Sequence, residues 1–67
     1  MKINKIHLDK FKKYSFGYMF MVKRGVFLLF DKETLEYIGV FNKAYYKEME
    51  DIYPTIERLI SLDYLEV

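Results

Sequence analysis

The sequence predicts a small α+β domain, a three-stranded antiparallel β-meander followed by a bent pair of C-terminal helices. Three observations predict it. Residues 14–22, "YSFGYMFMV", alternate with period two and consist mostly of β-formers. Two turn sequences, "KRG" and "DKET", then cut the apolar stretch that follows into strand-length pieces. From Tyr45 onward apolar residues recur at helical spacing, and Pro54 interrupts them.

The elements follow in order along one domain spanning residues 1–67. In the opening segment, "MKINKIHLDKFKK", Ile3, Ile6, Leu8 and Phe11 fit neither period, so residues 1–13 are expected either to pack on the sheet or to stay mobile. The first strand is 14–22. Gly25 can take the positive φ of a tight turn, and "VFLLF" makes the second strand at 26–30. Asp31 can hydrogen-bond its own backbone and open the turn at 31–34, after which "LEYIGVF" at 35–41 is the third strand. Asn42 can cap a helix starting at Lys43. Pro54 would clash inside one continuous helix but suits the first turn of a new one, so two helices are predicted, about 43–51 and 54–62. A short terminal strand, "YLEV", closes the chain.

With Arg24 and Gly25 as the first turn, the pairing assigns each residue to a face. One face gathers Tyr14, Phe16, Tyr18, Phe20, Val22, Phe27, Leu29, Ile38 and Val40, with Glu36 as its exception. The other gathers Met19, Met21, Val26, Leu28, Phe30, Leu35, Tyr37 and Phe41. An antiparallel sheet commonly hides one face and wets the other. Two apolar faces need two covers, whether a segment, a twin or a partner.

At 67 residues and without cysteine, the chain has neither a disulfide nor a thiolate metal site to compensate for a small core. Its 52% hydrophobic and 19% aromatic content argues against disorder. No run reaches the roughly 20 apolar residues of a membrane helix, and the N-terminus lacks a signal peptide's apolar core, so a cytoplasmic protein is expected. Net charge is +1, but residues 1–24 carry seven lysines and arginines against the single acid Asp9, and residues 25–67 carry four against nine acids. The weak total argues against a non-specific nucleic-acid binder and against a DNA mimic. The separation suits electrostatic steering of a partner.

Catalysis lacks its parts. His7 is the only histidine, which leaves Ser15 and Ser61 a single candidate base near a terminus and rules out multi-histidine metal sites. The acidic pairs Glu48 with Asp51 and Glu33 with Glu36 read as solvated surface. Glu48, Glu50 and Asp51 could gather a Mg²⁺, yet no glycine-rich loop positions a phosphate beside them. The expectation is a non-enzyme with no cofactor and no metal.

Two stretches resemble nucleic-acid binders. "FGYMFM" at 16–21 is similar to the latter part of the RNA-recognition-motif signature. That resemblance implies base stacking on Phe16 and Tyr18, with Lys12 and Lys13 near the phosphates. Tyr14 and Ser15 stand where that signature has a basic residue and a glycine. "IYPTIERLISLDYLEV" resembles the third helix of PadR-type winged-helix regulators, which implies that Tyr53, Thr55 and Arg58 face DNA while Ile56, Leu59 and Leu62 pack inward. Asp63 replaces that family's usual glycine, and Glu57, Asp63 and Glu66 make the stretch acidic.

The function expected from the sequence is a small protein-binding module that regulates or inhibits a larger assembly, or acts as a homodimer. Lys12, Lys13, Tyr14, Tyr18, Met19, Met21, Tyr45 and Tyr46 are its candidate contact residues: tyrosines as anchors, methionines as adaptable surface, lysines for steering. The short, cysteine-free, Lys/Ile/Tyr-rich composition suits a protein encoded by a virus or mobile element. The alternative is a nucleic-acid-binding transcriptional regulator acting through Tyr53, Thr55 and Arg58.

Overall fold

The computed structural model describes residues 1–42 and 52–67. In chain order these form strand β1 (Lys2–Ile3), a 3-10 segment (Lys5–Lys10), strands β2 (Lys12–Tyr14), β3 (Gly17–Lys23), β4 (Val26–Phe30) and β5 (Tyr37–Asn42), helix α1 (Tyr53–Ser61) and strand β6 (Leu65–Glu66). Strands β2 to β5 make an antiparallel meander in sequence order, and β1 pairs antiparallel with β6. The two sheets touch where Ile3 N–H donates to the Leu35 carbonyl at 2.9 Å and Tyr37 N–H to the Met1 carbonyl at 2.8 Å.

This corrects the predicted architecture twice. The sheet has four strands rather than three, because the alternating run 14–22 is not one strand. It breaks at Ser15 and Phe16, a two-residue turn flanked by the pair Tyr14↔Gly17, and the lysines before it become β2. Gly17 makes the break workable: its φ is +153°, and a Cβ there would run into the carbonyl oxygen of Phe30. Among the described residues the C-terminal part holds one α helix, Tyr53–Ser61, and not the predicted bent pair. The first predicted helix, 43–51, lies outside the described residues, while α1 takes Pro54 as its second residue. The first N–H groups of a helix have no intrahelical acceptor, so the missing donor of Pro54 goes unnoticed there.

Register decides which residues form the core. Lys23 pairs with Val26, but Met21 pairs with Phe27, which leaves Val22 as an extra, unpaired residue. Such a bulge moves every pairing beyond it by one residue, and a one-residue shift in a strand exchanges its faces. Tyr18 and Phe20 therefore share a face with Phe30 and Leu28, not with Phe27 and Leu29 as the unbulged pairing predicts. A second irregularity leaves Ile38 extra opposite Leu29 and Phe30, so Leu28 faces Val40 and Phe27 faces Phe41. The inner face of Tyr18, Leu28 and Phe30 joins Ile3, Phe11, Leu35, Ile52, Leu59 and Leu65 in the buried core. Each large apolar side chain buried there contributes about 1.5–3 kcal/mol. That packing holds α1, since a helix of nine residues is marginal in isolation.

The chain ends close over this core. Asn4 accepts from the Ile6 N–H at 3.2 Å, and its amide donates to the backbone carbonyl and the carboxylate of Asp63, each at 3.1 Å. Helix α1 stops in a Schellman motif: Tyr64 N–H donates to the Leu59 carbonyl at 2.8 Å and Asp63 N–H to the Ile60 carbonyl at 3.0 Å. Asp63 occupies the left-handed position at φ 68°, which glycine usually takes. Leu35 also has positive φ, 65°, and for a buried leucine that is strained backbone. It follows the turn at 31–34, where the Asp31 carboxylate accepts from the N–H groups of Thr34 at 2.8 Å and Glu33 at 2.7 Å. The predicted third strand starts at residue 35. The left-handed Leu35 delays β5 to Tyr37, and its side chain enters the core instead.

Two substitutions test the turns. Gly17→Ala meets both positive φ and the Phe30 carbonyl, so urea denaturation should show a loss of about 2 kcal/mol or more. Pro54→Ala should stay within about 0.5 kcal/mol of the parent, since Pro54 displaces no helical hydrogen bond. The third test uses pH. Hydrogen bonds from the Thr34 and then the Glu33 backbone hold the Asp31 carboxyl below the usual carboxylate range. Its contribution to stability is therefore complete above the ordinary carboxylate pKa of about 4 and disappears as pH falls through the lowered value. Melting temperatures of the parent and Asp31→Ala should differ at neutral pH and converge in acid.

Candidate functional site

The outer face of the meander is built by the same register that builds the core. Met19 opposite Leu29, and Met21 opposite Phe27 with Phe41 beyond it, all project away from the inner face, as does Lys12 opposite Met19. The Ser15–Phe16 turn adds one more ring. Phe16 folds back across the outer face, stacked on Tyr14 with centroids 5.5 Å apart at 16°, and 6.3 Å from Phe41. Tyr14, Phe16, Met19, Phe27 and Phe41 line a shallow depression of about 340 Å³. Met19 at its floor is 6% exposed, whereas Phe16 is 52% and Met21 59% exposed. No side chain lining the depression carries charge, and the Lys12 ammonium lies 5.8 Å from the centre of the Tyr14 ring.

Of the predicted contact residues, Tyr14 and Met19 line the depression, while Lys12 and Met21 share its face by register, Met21 at the end that also borders the cleft beside α1. Lys13 and Tyr18 pair with each other on the opposite face; Tyr18 is buried in the core, and the Lys13 ammonium stands 5.8 Å from its ring centre. Tyr45 and Tyr46 lie outside the described residues. The prediction missed Phe27 and Phe41, which it split between faces because the extra residue at Ile38, which sets β5 against β4, has no sequence signature. Phe16 and Tyr18, the stacking pair implied by the RNA-motif resemblance, end on opposite faces because the turn separates them.

The other candidates are arranged differently. His7 lies against the Tyr64 ring, centroids 5.0 Å apart, and the Ser61 hydroxyl donates to the Arg58 carbonyl at 2.8 Å. Ser15 sits in the hairpin turn, and its carbonyl accepts from Lys32 at 3.4 Å. Among the described residues no three His, Asp or Glu side chains are grouped to hold a metal; Glu48, Glu50 and Asp51 lie outside them. On α1, Thr55 and Arg58 share one side and line a cleft of about 380 Å³ against β3 with Phe20, Leu59 and Tyr64. Tyr53 is two residues before Thr55 and so projects from a different side of the helix, 60% exposed. Leu62, expected inside with Ile56 and Leu59, is 46% exposed.

No helix among the described residues is long and apolar enough to cross a membrane. Compared with known proteins, the chain matches no protein-family model, no curated protein and no solved structure.

The two methionines separate structure from surface. Met19→Ser should cost about 2–3 kcal/mol in denaturant titration, because it opens a void under the rings. Met21→Ser should change stability by less than about 0.5 kcal/mol.

Proposed function

We propose that the protein is a small non-enzymatic binding module that docks another protein through the outer face of its meander, regulating or inhibiting a larger assembly in the cytoplasm. One observation carries this reading: a face built of aromatic rings and methionines stays open at Phe16 and Met21 although the core is already complete on the other side. Aromatic residues and methionine are enriched at interface centres because they bury large, adaptable area. Self-association through the same face is the homodimer form of this reading.

A second reading has its own support. The open Tyr14–Phe16 stack with Lys12 beside it has the ingredients of a single-strand nucleic-acid platform, rings for bases and a cation for phosphate. The α1 alternative has less, since Tyr53 does not share a side with Thr55 and Arg58, and its surroundings are acidic.

Salt separates the two. Sedimentation of the pure protein, followed by mass spectrometry of what co-purifies with it, should reveal a protein complex or a dimer. That complex should persist at high salt and disappear in Met21→Glu while the variant keeps its melting temperature. Binding of oligonucleotides that weakens steeply with salt, with a strict monomer otherwise, would falsify the protein-docking reading.

A further inference from the structure

Strand β2 ends the sheet. One side pairs with β3, and the other meets no strand among the described residues. In an antiparallel ladder alternate residues turn their N–H and C=O groups to the far side, so the outward groups of this edge take no strand partner among the described residues. The side chains around it are basic on both faces. Lys12 stands on the outer face and Lys13 on the inner, each 5.8 Å from a tyrosine ring centre. Lys32 reaches the far end of the strand, 3.4 Å from the Ser15 carbonyl, and the exposed Lys5 and Lys10 precede it in the 3-10 segment. No carboxylate among the described residues pairs with these ammonium groups.

Lysines on an edge strand have two opposite effects. They repel the same edge of a second copy, which guards against self-pairing. They also attract a strand of opposite charge. Tyr14 adds the apolar element, since its ring is the wall of the outer depression nearest this edge. A strand laid along β2 would set one row of side chains beside Tyr14 and Lys12 and the other beside Lys13.

We infer that β2 takes an extended acidic segment of the partner protein by strand addition, its carboxylates meeting Lys12 and Lys13 and an aromatic side chain resting in the depression beside Tyr14 and Phe16. Strand addition draws affinity from backbone hydrogen bonds and specificity from alternate side chains. The inference rests on the protein-docking reading and adds to it the edge and the charge of the partner.

The test titrates the full ¹⁵N-labelled chain with a synthetic peptide alternating glutamate with phenylalanine and valine, and with its counterpart carrying lysine for glutamate. The acidic peptide should slow hydrogen exchange of the Lys13 amide, the one that the alternation of β2 turns to the free edge, and shift the resonances of Tyr14 and Phe16. The lysine peptide should bind about tenfold more weakly or worse. Charge reversal by Lys12→Glu with Lys13→Glu should invert the preference, and the glutamine pair at the same positions should abolish it if the reversed variant fails to fold. Equal binding of both peptides, or exchange protection of β2 that grows with protein concentration alone, overturns the inference. Shifts confined to Met21, Phe27 and Phe41, with β2 amides exchanging as in the free protein, overturn the edge and leave docking by the outer face standing. No binding of either peptide also overturns strand addition, and the sedimentation test then decides the broader reading independently.

Discussion

A meander that is apolar on both sides can pack either side inward, and the extra residue at Val22 decides between them. Because Val22 takes no partner, β4 meets β3 one residue out of the simple hairpin register. Tyr18, Phe20, Leu28 and Phe30 then form one surface, broad and branched enough for Phe11, Ile52 and Leu59 to fill. The methionines are sent to the other side with Phe27 and Phe41. Core and outer face thus follow from two local events, the extra residue at Val22 and the one at Ile38 that sets Phe41 opposite Phe27. In the unbulged register Met19 and Met21 would share a face with Leu28 and Phe30, and Tyr18 with Phe27. Neither surface would keep its present character.

The outer face is not simply left over. A ring from the β2–β3 turn lies across it, and that turn exists because Gly17 lets two backbones approach where a Cβ could not fit. Phe16 shields Met19 almost completely while remaining half open itself. The arrangement is intermediate between a core and a bare patch: the Tyr14, Phe16 and Phe41 rings pack on one another, yet Phe16 stays half exposed. Pre-ordered aromatic side chains lose little freedom on contact, which favours binding through them.

The sequence disclosed the features that depend on local chemistry. Gly25 takes positive φ in its turn, Asp31 binds its own loop, Pro54 stands in the first turn of α1, and a short strand closes the chain at Leu65–Glu66. It concealed the features that depend on partners. Ser15 and Phe16 sit in an alternating aromatic run that looks continuous until the Phe30 carbonyl arrives opposite Gly17. Val22 and Ile38 are strand-formers, and nothing in them marks an extra residue; the neighbouring strand chooses which residue goes unpaired. Leu35 is a poor candidate for left-handed backbone; the core around its side chain, the Asp31 carbonyl that accepts from its N–H and the Ile3 N–H that donates to its carbonyl hold it there. The candidate site followed the same division. Met19 and Met21 share a face as their sequence parity suggests, but Tyr14, assigned to the opposite face, joins them only because the turn at Ser15 and Phe16 folds β2 back along β3; Lys13 and Tyr18 belong to the other face, and Phe27 and Phe41 came within reach only through the second irregularity at Ile38.

The pairing of β1 with β6 has a mechanical consequence. Lys2 stands opposite Glu66 and Ile3 opposite Leu65, so the first and last residues leave the ladder side by side at the same end. A pull on the two termini therefore loads that ladder one rung at a time, the peeling geometry, rather than shearing all its rungs together. Once it parts, Asn4 loses Asp63, and the helix end is released with it. Opening of this ladder also frees the Met1 and Ile3 backbone from Tyr37 and Leu35, so tension at the ends reaches the start of β5 next.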